Sequence, residues 1–160
     1  MSIVLGTLWM NSAFLRNESI VALALIGVSL LMQSAGMALL IVRERTRFQK
    51  IPRRGPVRDT LVMLRITGLI VLLHLLQVGV WSGFYRWNCF TSWESAVYYS
   101  AASYSTVGAS DLLLPHRWRL LGPAESVAGV LMCGLSASFL VSVIIFMIQQ
   151  EERQTVPQPV

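Results

Sequence analysis

Charged residues are scarce in this sequence of 160 residues. They make up 13% of the chain, and 54% of the residues are hydrophobic. Soluble domains carry about 25% charged residues. A soluble domain of this length buries only roughly 60–70% of the surface that its unfolded chain exposes, so it could not cover so much apolar surface. The composition therefore excludes a soluble enzyme and a disordered regulatory protein, and it favours an integral membrane protein.

Cysteine and histidine are equally rare, with two residues of each. Two cysteines are too few for a disulfide scaffold. Cys133 lies within a long apolar segment and Cys89 lies outside one, so we expect neither a disulfide between them nor a metal site. Only His74 falls within an apolar segment, without the second histidine or the clustered carboxylates that a membrane enzyme or electron carrier needs. We therefore expect no catalysis, no cofactor and no small-molecule substrate.

Long apolar runs are what the sequence does contain. A helix needs about 20 residues to cross the hydrocarbon core of a membrane. Three runs meet that length and predict transmembrane helices, at Ile20–Val42, Leu61–Phe84 and Ala124–Gln149. Pro123 precedes the third run, as is typical of a helix start. Ile3–Leu15 is too short to span, and it either lies in the membrane interface or extends the first helix. The polar segment 150–160 predicts a disordered tail.

Positive charge is distributed unevenly around these runs. Seven basic residues lie between the first two runs, at Arg43, Arg45, Arg47, Lys50, Arg53, Arg54 and Arg58. The segment between the second and third runs holds Arg86, Arg117 and Arg119. Cytoplasmic loops are enriched in Lys and Arg, so we expect the basic loop and the C-terminus inside and the N-terminus outside. The cluster suits contact with anionic lipid rather than nucleic acid. The first run contains no arginine and so no voltage sensor.

The segment between the second and third runs contains a short helix signal. Residues 91–104 are semi-apolar and aromatic, Thr91 or Ser92 can cap a helix start, and Glu94 suits the first turn. About thirteen helical residues span roughly 20 Å, too short to cross a membrane. The sequence S-T-V-G-A-S-D at 105–111 continues a helix poorly. A half-helix followed by extended backbone between two spans predicts a re-entrant loop, which needs protein or water around it.

The stretch Trp93–Asp111 resembles the pore helix and filter of tetrameric potassium channels, whose signature is T-V-G-Y-G-D. Thr106, Val107, Gly108 and Asp111 match that signature position by position. Further matches extend the resemblance to small bacterial channel proteins of the two-helix pore type, over about residues 60 to 148. These further matches are Leu114-Pro115, Trp118–Gly122, Glu125, Gly129 and Gly134. The first helix is an addition to this pattern.

The resemblance implies an all-α membrane protein with a pore domain at 60–149, after an N-terminal segment at 1–59 that holds the first helix. It implies a homotetramer in a bacterial inner membrane, conducting cations passively. Backbone carbonyls then replace the hydration shell of a permeant potassium ion. The implied filter residues are Thr106, Val107, Gly108, Ala109 and Ser110. Glu94 and Asp111 would brace the filter, although Glu94 could instead serve the half-helix start. Gly129 and Gly134 would be hinges of the inner helix or close-packing positions.

The sequence departs from the signature where Ala109 and Ser110 replace its tyrosine and second glycine. A left-handed conformation at Ser110 costs about 1–2 kcal/mol that glycine avoids. We expect a shortened or widened filter with reduced selectivity for potassium over sodium. The alternative is a pore domain that does not conduct and serves as a membrane subunit or scaffold.

Four further polar residues have alternative roles. His74 could sense pH, or could pair with Gln77 or with Ser and Gln residues of the first helix, and we favour a neutral histidine hydrogen-bonded between helices. Glu125 could bond Arg117 or Arg119, or remain solvated. Ser136 and Ser138 either face a cavity or bond back to helix carbonyls.

Overall fold

The computed structural model describes residues 2–48, 55–109 and 111–155, and within those ranges the chain is helical and contains no strand. Four α-helices follow one another: α1 (Ser2–Phe48), α2 (Pro56–Asn88), α3 (Trp93–Tyr104) and α4 (Leu121–Thr155). A short 3₁₀ helix at His116–Trp118 precedes α4. The all-α class predicted from the sequence is confirmed.

Three helical segments are long and apolar enough to cross a membrane: Asn17–Arg43, Val57–Asn88 and His116–Gln149. Each presents large apolar side chains on its outer surface, such as Leu31 on α1, Leu75 on α2 and Val130 on α4. In water such surfaces would be unfavourable, but in a bilayer they face chains as apolar as themselves. The three predicted spans are confirmed, and only their ends differ.

The helices extend further into the predicted basic loop than expected. α1 runs from Ser2 to Phe48, so the N-terminal segment extends the first helix, and the helix includes Arg43, Arg45 and Arg47. α2 begins at Pro56, where the missing amide donor costs nothing in a first helical turn. The connection between the first two spans is therefore shorter at both ends than predicted. Lys50, Arg53 and Arg54 lie outside the described residues.

The ends of α4 also differ from the prediction. The helix begins at Leu121, two residues before Pro123. It continues to Thr155, so the prediction of disorder over 150–160 is wrong for residues 150–155. Gln, Glu and Arg dominate that stretch, and these straight-chain residues lose little side-chain freedom in a helix. Residues 156–160 lie outside the described residues.

The helices enclose two apolar clusters that hold the bundle together. The larger surrounds α3 and contains Trp81, Tyr85, Ala96, Leu121 and Ala128, all fully buried. The smaller joins α1 to α2 through Leu40, Ile66 and Ile70. The larger cluster buries aromatic side chains of α2 against the half-helix, so it fixes the position of α3 between α2 and α4.

Polar contacts attach α1 to the remaining helices. The Trp81 indole Nε1 donates to Ser29 Oγ at 3.1 Å, and both residues are fully buried. The Glu18 carboxylate accepts a hydrogen bond from the Leu120 amide, immediately before α4 begins. A negative charge at a helix N-terminus is favourable because unpaired amides give that end a partial positive charge. Glu18 of α1 therefore completes the start of α4.

Replacing Glu18 is expected to lower the midpoint of thermal unfolding in detergent micelles. Glu18→Ala leaves the Leu120 amide without its acceptor and removes the charge at the start of α4, a loss of about 1–2 kcal/mol. Glu18→Gln keeps an acceptor and is expected to lose less. Glu94→Ala is the control, because Glu94 is an exposed carboxylate in the first turn of α3. Equal midpoints for Glu18→Ala and Glu94→Ala would contradict the cap.

Candidate functional site

The half-helix predicted between the second and third spans is present as α3, which has twelve residues. Ser92 is its N-cap, and the Ser92 hydroxyl accepts a hydrogen bond from the Ser95 amide at 3.1 Å. At a rise of 1.5 Å per residue the helix is about 18 Å long, too short to cross a membrane. The capping choice between Thr91 and Ser92 is settled in favour of Ser92, and the half-helix prediction is confirmed.

The backbone changes course after Tyr104, the last residue of α3. Thr106 has φ 64° and Gly108 has φ 77°, both in the left-handed region. Glycine adopts that conformation freely, whereas a β-branched threonine there is a strained outlier. The Thr106 amide donates to the Ser103 carbonyl at 3.0 Å, and the Gly108 amide donates to the Ala102 carbonyl at 2.9 Å. These bonds hold the segment beside the end of α3.

The orientation of the Val107 carbonyl follows from the Gly108 bond. In a trans peptide the N–H and C=O groups point in opposite directions, and no described peptide bond is cis. Because the Gly108 amide faces α3, the Val107 carbonyl faces away from α3. Val107 is 81% exposed, and Thr106 and Gly108 are exposed as well. The segment therefore presents backbone oxygen on the open side of the half-helix. Ala109 is half-buried, and Ser110 lies outside the described residues.

The two acidic residues predicted to brace this segment differ in their surroundings. Tyr98 of α3 donates its hydroxyl to Asp111 Oδ1 at 3.2 Å, so Asp111 ties the end of the segment back to the half-helix. The hydrogen bond and the negative charge of Asp111 raise the pKa of Tyr98. Glu94 is exposed in the first turn of α3, the position expected of a residue that serves the helix start.

Glu125 is the clearest correction to the sequence-based expectations. Neither a bond to Arg117 or Arg119 nor a solvated carboxylate describes it, because the residue is fully buried behind α3. Glu125 Oε2 accepts from the Tyr85 hydroxyl at 2.8 Å, and Oε1 accepts from Ser100 Oγ at 2.5 Å. The carboxylate links α2, α3 and α4 at one point. Its surroundings were not predictable because the donors come from two other helices.

Cys89 follows α2 and packs against the larger apolar cluster. Burial raises the pKa of its thiol to about 11. A thiol with so high a pKa is almost entirely protonated at neutral pH, and the thiolate is the reactive form. Both cysteines are free.

His74 is hydrogen-bonded between helices, as favoured from the sequence, but with different partners. Nδ1 lies 2.8 Å from the Tyr104 hydroxyl and Nε2 lies 3.0 Å from Ser136 Oγ. Gln77 pairs instead with Gln33 of α1, at 2.7 Å. Gln33 is the glutamine of the first predicted run and was expected as a partner of His74, whereas Tyr104 was not predicted as one. The signal was present, since Gln33, His74, Gln77 and Ser136 interrupt three otherwise apolar spans.

The two glycines of α4 have different environments. A Cβ at Gly129 would collide with the Tyr104 carbonyl oxygen, so the absence of a side chain lets α4 touch the end of the half-helix. A Cβ at Gly134 would meet nothing within 4 Å. Gly129 is therefore a close-packing position, and a hinge at Gly134 stays a prediction. Ser138 bonds back to the Gly134 carbonyl at 3.0 Å, one of its two expected roles.

A family model described as "Ion channel" (Ion_trans_2) matches residues 61–146, more than half of the chain. The matched region begins near the start of α2, contains α3 with residues 105–111, and ends within α4, so that all of α1 lies before it. The comparisons with curated proteins and with solved structures give no match.

Gly129→Ala is expected to destabilise the bundle, whereas Gly134→Ala is not. The new methyl group at position 129 must displace backbone at the end of α3, which costs about 1–3 kcal/mol. At position 134 the methyl group has room, and alanine is the better helix former by about 1 kcal/mol. Thermal unfolding of both variants in the same detergent checks this. Equal midpoints would show that α4 does not contact the half-helix at Gly129.

Proposed function

Since the chain belongs to the ion channel family whose model matches residues 61–146, we propose that it is a subunit of a passive cation channel that conducts through residues 106–110. Potassium is the proposed ion, with imperfect selectivity over sodium. Four copies around one axis form the proposed pore, because the described part of each chain supplies a single half-helix, followed by a single filter segment at residues 106–110.

The orientation of the Val107 carbonyl is the observation that carries this proposal. An ion filter replaces the hydration shell with rings of backbone carbonyl oxygens. The Gly108 amide bonds to Ala102 of the half-helix, which turns the Val107 carbonyl toward the exposed side. Four such carbonyls facing one axis would form one ring. The neighbouring residues Thr106 and Gly108 are exposed as well.

One further feature supports a cation as the conducted ion, and another supports assembly in a membrane. The C-terminal end of each helix carries a partial negative charge, and α3 ends at Tyr104 directly before the filter segment. The outer surface of α4 exposes Val127, Val130 and Leu131. Such a surface can pack against another copy or against lipid. In the proposed tetramer, the copies and the lipid share it.

The replacement of the signature's tyrosine and second glycine supports the expectation of reduced selectivity. Ala109 lacks a ring that could pack against the half-helix, and Ser110 resists the left-handed backbone that a glycine adopts. The same two residues favour the second candidate function, a pore-domain subunit that does not conduct. The strained φ of 64° at Thr106 is consistent with either candidate.

The distribution of charge supports an orientation for the subunit. The Arg and Lys residues between α1 and α2 favour placing that connection and the C-terminus in the cytoplasm, with the N-terminus outside. The half-helix then enters from the outer face of a cell membrane.

Ion flux from purified protein in liposomes tests the proposal, with potassium and sodium gradients compared. We expect potassium flux with measurable sodium flux, and we expect Ser110→Gly to raise the ratio of potassium to sodium flux. Gly108→Ala tests whether the backbone conformation of this segment matters for conduction. The added methyl group would meet no neighbouring atom, but alanine at a φ of 77° costs about 1–2 kcal/mol, so we expect reduced flux.

Three outcomes separate the candidates, once light scattering has established the number of copies in the detergent particle. A ratio of potassium to sodium flux that rises in Ser110→Gly supports a conducting filter with reduced selectivity. A tetramer without flux, in which Ala109→Tyr with Ser110→Gly restores conduction, supports the non-conducting subunit. Absence of flux from every version would overturn the channel proposal.

A further inference from the structure

Five buried or half-buried polar side chains from four helices form a closed ring of hydrogen bonds. Gln33 comes from α1, His74 and Gln77 from α2, Tyr104 from α3 and Ser136 from α4. Gln77 Nε2 lies 2.7 Å from Gln33 Oε1, Gln33 Nε2 lies 2.8 Å from Ser136 Oγ, and Ser136 Oγ lies 3.0 Å from His74 Nε2. His74 Nδ1 lies 2.8 Å from the Tyr104 hydroxyl, and that hydroxyl closes the ring at 3.0 Å from Gln77 Oε1.

The donors and acceptors in this ring follow one direction. The Tyr104 hydroxyl donates to Gln77 Oε1, Gln77 Nε2 donates to Gln33 Oε1, and Gln33 Nε2 donates to Ser136 Oγ. The hydroxyl proton of Tyr104 is therefore already committed, so His74 Nδ1 carries the proton in its contact with Tyr104. The Ser136 hydroxyl then donates to the unprotonated Nε2 of a neutral His74. Each side chain donates once and accepts once within the ring.

The ring holds the end of the half-helix from which residues 106–110 depart. Tyr104 is the last residue of α3, and its carbonyl oxygen packs against Gly129 of α4. One residue earlier, the Ser103 carbonyl accepts the Thr106 amide and also the Ser126 hydroxyl, at 3.0 and 2.7 Å. The side chain and the backbone of this helix end are thus fixed by different neighbours. A shift of the Tyr104 side chain would move the start of the filter segment.

Gln33 couples the amide orientation of Gln77 to the Ser136 hydroxyl, because both ends of the Gln33 amide are used. Its Oε1 accepts from Gln77 and its Nε2 donates to Ser136. Without Gln33, nothing in the ring fixes the amide orientation of Gln77. A flipped Gln77 amide would present a donor to Tyr104, the Tyr104 proton would turn to His74, and His74 would carry its proton on Nε2.

From this geometry we propose that Gln33 of the first helix is a positioning residue for the filter segment, acting through Gln77, His74 and Tyr104. The first helix thereby influences which cation passes, although Gln33 lies outside the region that matches the ion channel family. This inference rests on the proposed function, because selectivity has meaning only in a conducting pore.

The test compares Gln33→Met with Ser29→Ala in the flux assay. Methionine has a similar length and volume and removes both hydrogen bonds of Gln33 without leaving a large cavity. Ser29→Ala is the matched control, because Ser29 is a fully buried residue of α1 that bonds Trp81 of α2 and takes no part in the ring. It weakens the attachment of α1 while leaving all five ring contacts in place.

We expect Gln33→Met to change the ratio of potassium to sodium flux by about threefold or more, the scale of one net hydrogen bond. Ser29→Ala is expected to leave that ratio within the error of the parent protein. Equal changes in both variants would overturn the inference, because they would show that the attachment of α1 matters and the ring does not. An unchanged ratio in Gln33→Met would overturn it as well.

A second measurement does not require conduction. The ring predicts a single tautomer of His74 in the parent protein, protonated at Nδ1, and ¹⁵N NMR of histidine-labelled protein detects it. Only His116 adds a second histidine signal, and His116→Asn removes it. We expect Gln33→Met to give a mixture of tautomers and Ser29→Ala to keep the parent signal.

The two measurements separate failure of the inference from failure of the proposed function. If the parent protein does not conduct, the channel proposal fails, and the His74 signal still decides whether Gln33 controls the end of the half-helix. If the parent conducts and Gln33→Met keeps a single Nδ1-protonated tautomer, the positioning role of Gln33 is overturned.

Discussion

The buried Tyr104 hydroxyl, which is bonded to two side chains of α2, fixes the position of the half-helix in the bundle. Tyr104 ends the half-helix, bonds Gln77 and His74 of α2, and packs its carbonyl oxygen against Gly129 of α4. Inside an apolar bundle no water competes for these groups, so each donor must find an acceptor on a neighbouring helix. The packing of apolar side chains alone would leave the helices free to slide against one another. The hydrogen bonds select one relative position.

A second buried group supports the half-helix nearer its middle. The Glu125 carboxylate receives the hydroxyls of Tyr85 and Ser100, while Tyr85 also packs edge-on against Tyr99 with ring centroids 5.2 Å apart. The half-helix is thus held at its start by the Ser92 cap, at its middle by Glu125, and at its end by Tyr104. A helix of twelve residues has little stability of its own in isolation. These contacts supply what its length does not.

Much of the fold could be predicted from the sequence, because membrane spans and half-helices leave strong local signals. The three apolar runs, the Ser92 cap and the breakdown of helix signal after Tyr104 depend only on neighbouring residues. The ends of α1 and α4 could not be predicted from hydropathy, since the helices continue past the apolar runs through good helix formers. Hydropathy marks where a helix must lie in lipid and does not mark where the helix stops.

The polar contacts of the candidate site were less predictable than its sequence position. Glu125 lies near Arg117 and Arg119 along the chain, yet its partners come from α2 and α3, across the bundle. The partners of His74 depended on the rotation of three helices about their axes, which composition does not fix. Gly129 could be separated from Gly134 only when the carbonyl of Tyr104 was located.

The cap that Glu18 places on α4 bears on how independent the pore-forming region is. The matched region begins at residue 61, yet Leu120, Trp81 and Gln77 within it each bond a residue of α1. A fragment that began at residue 61 would contain the Leu120 amide, the Trp81 indole and the Gln77 carboxamide without their hydrogen-bond partners in α1. In this chain, Glu18, Ser29 and Gln33 of the first helix therefore belong to the packed interior of the matched region, and the two could be exchanged between proteins only as a unit.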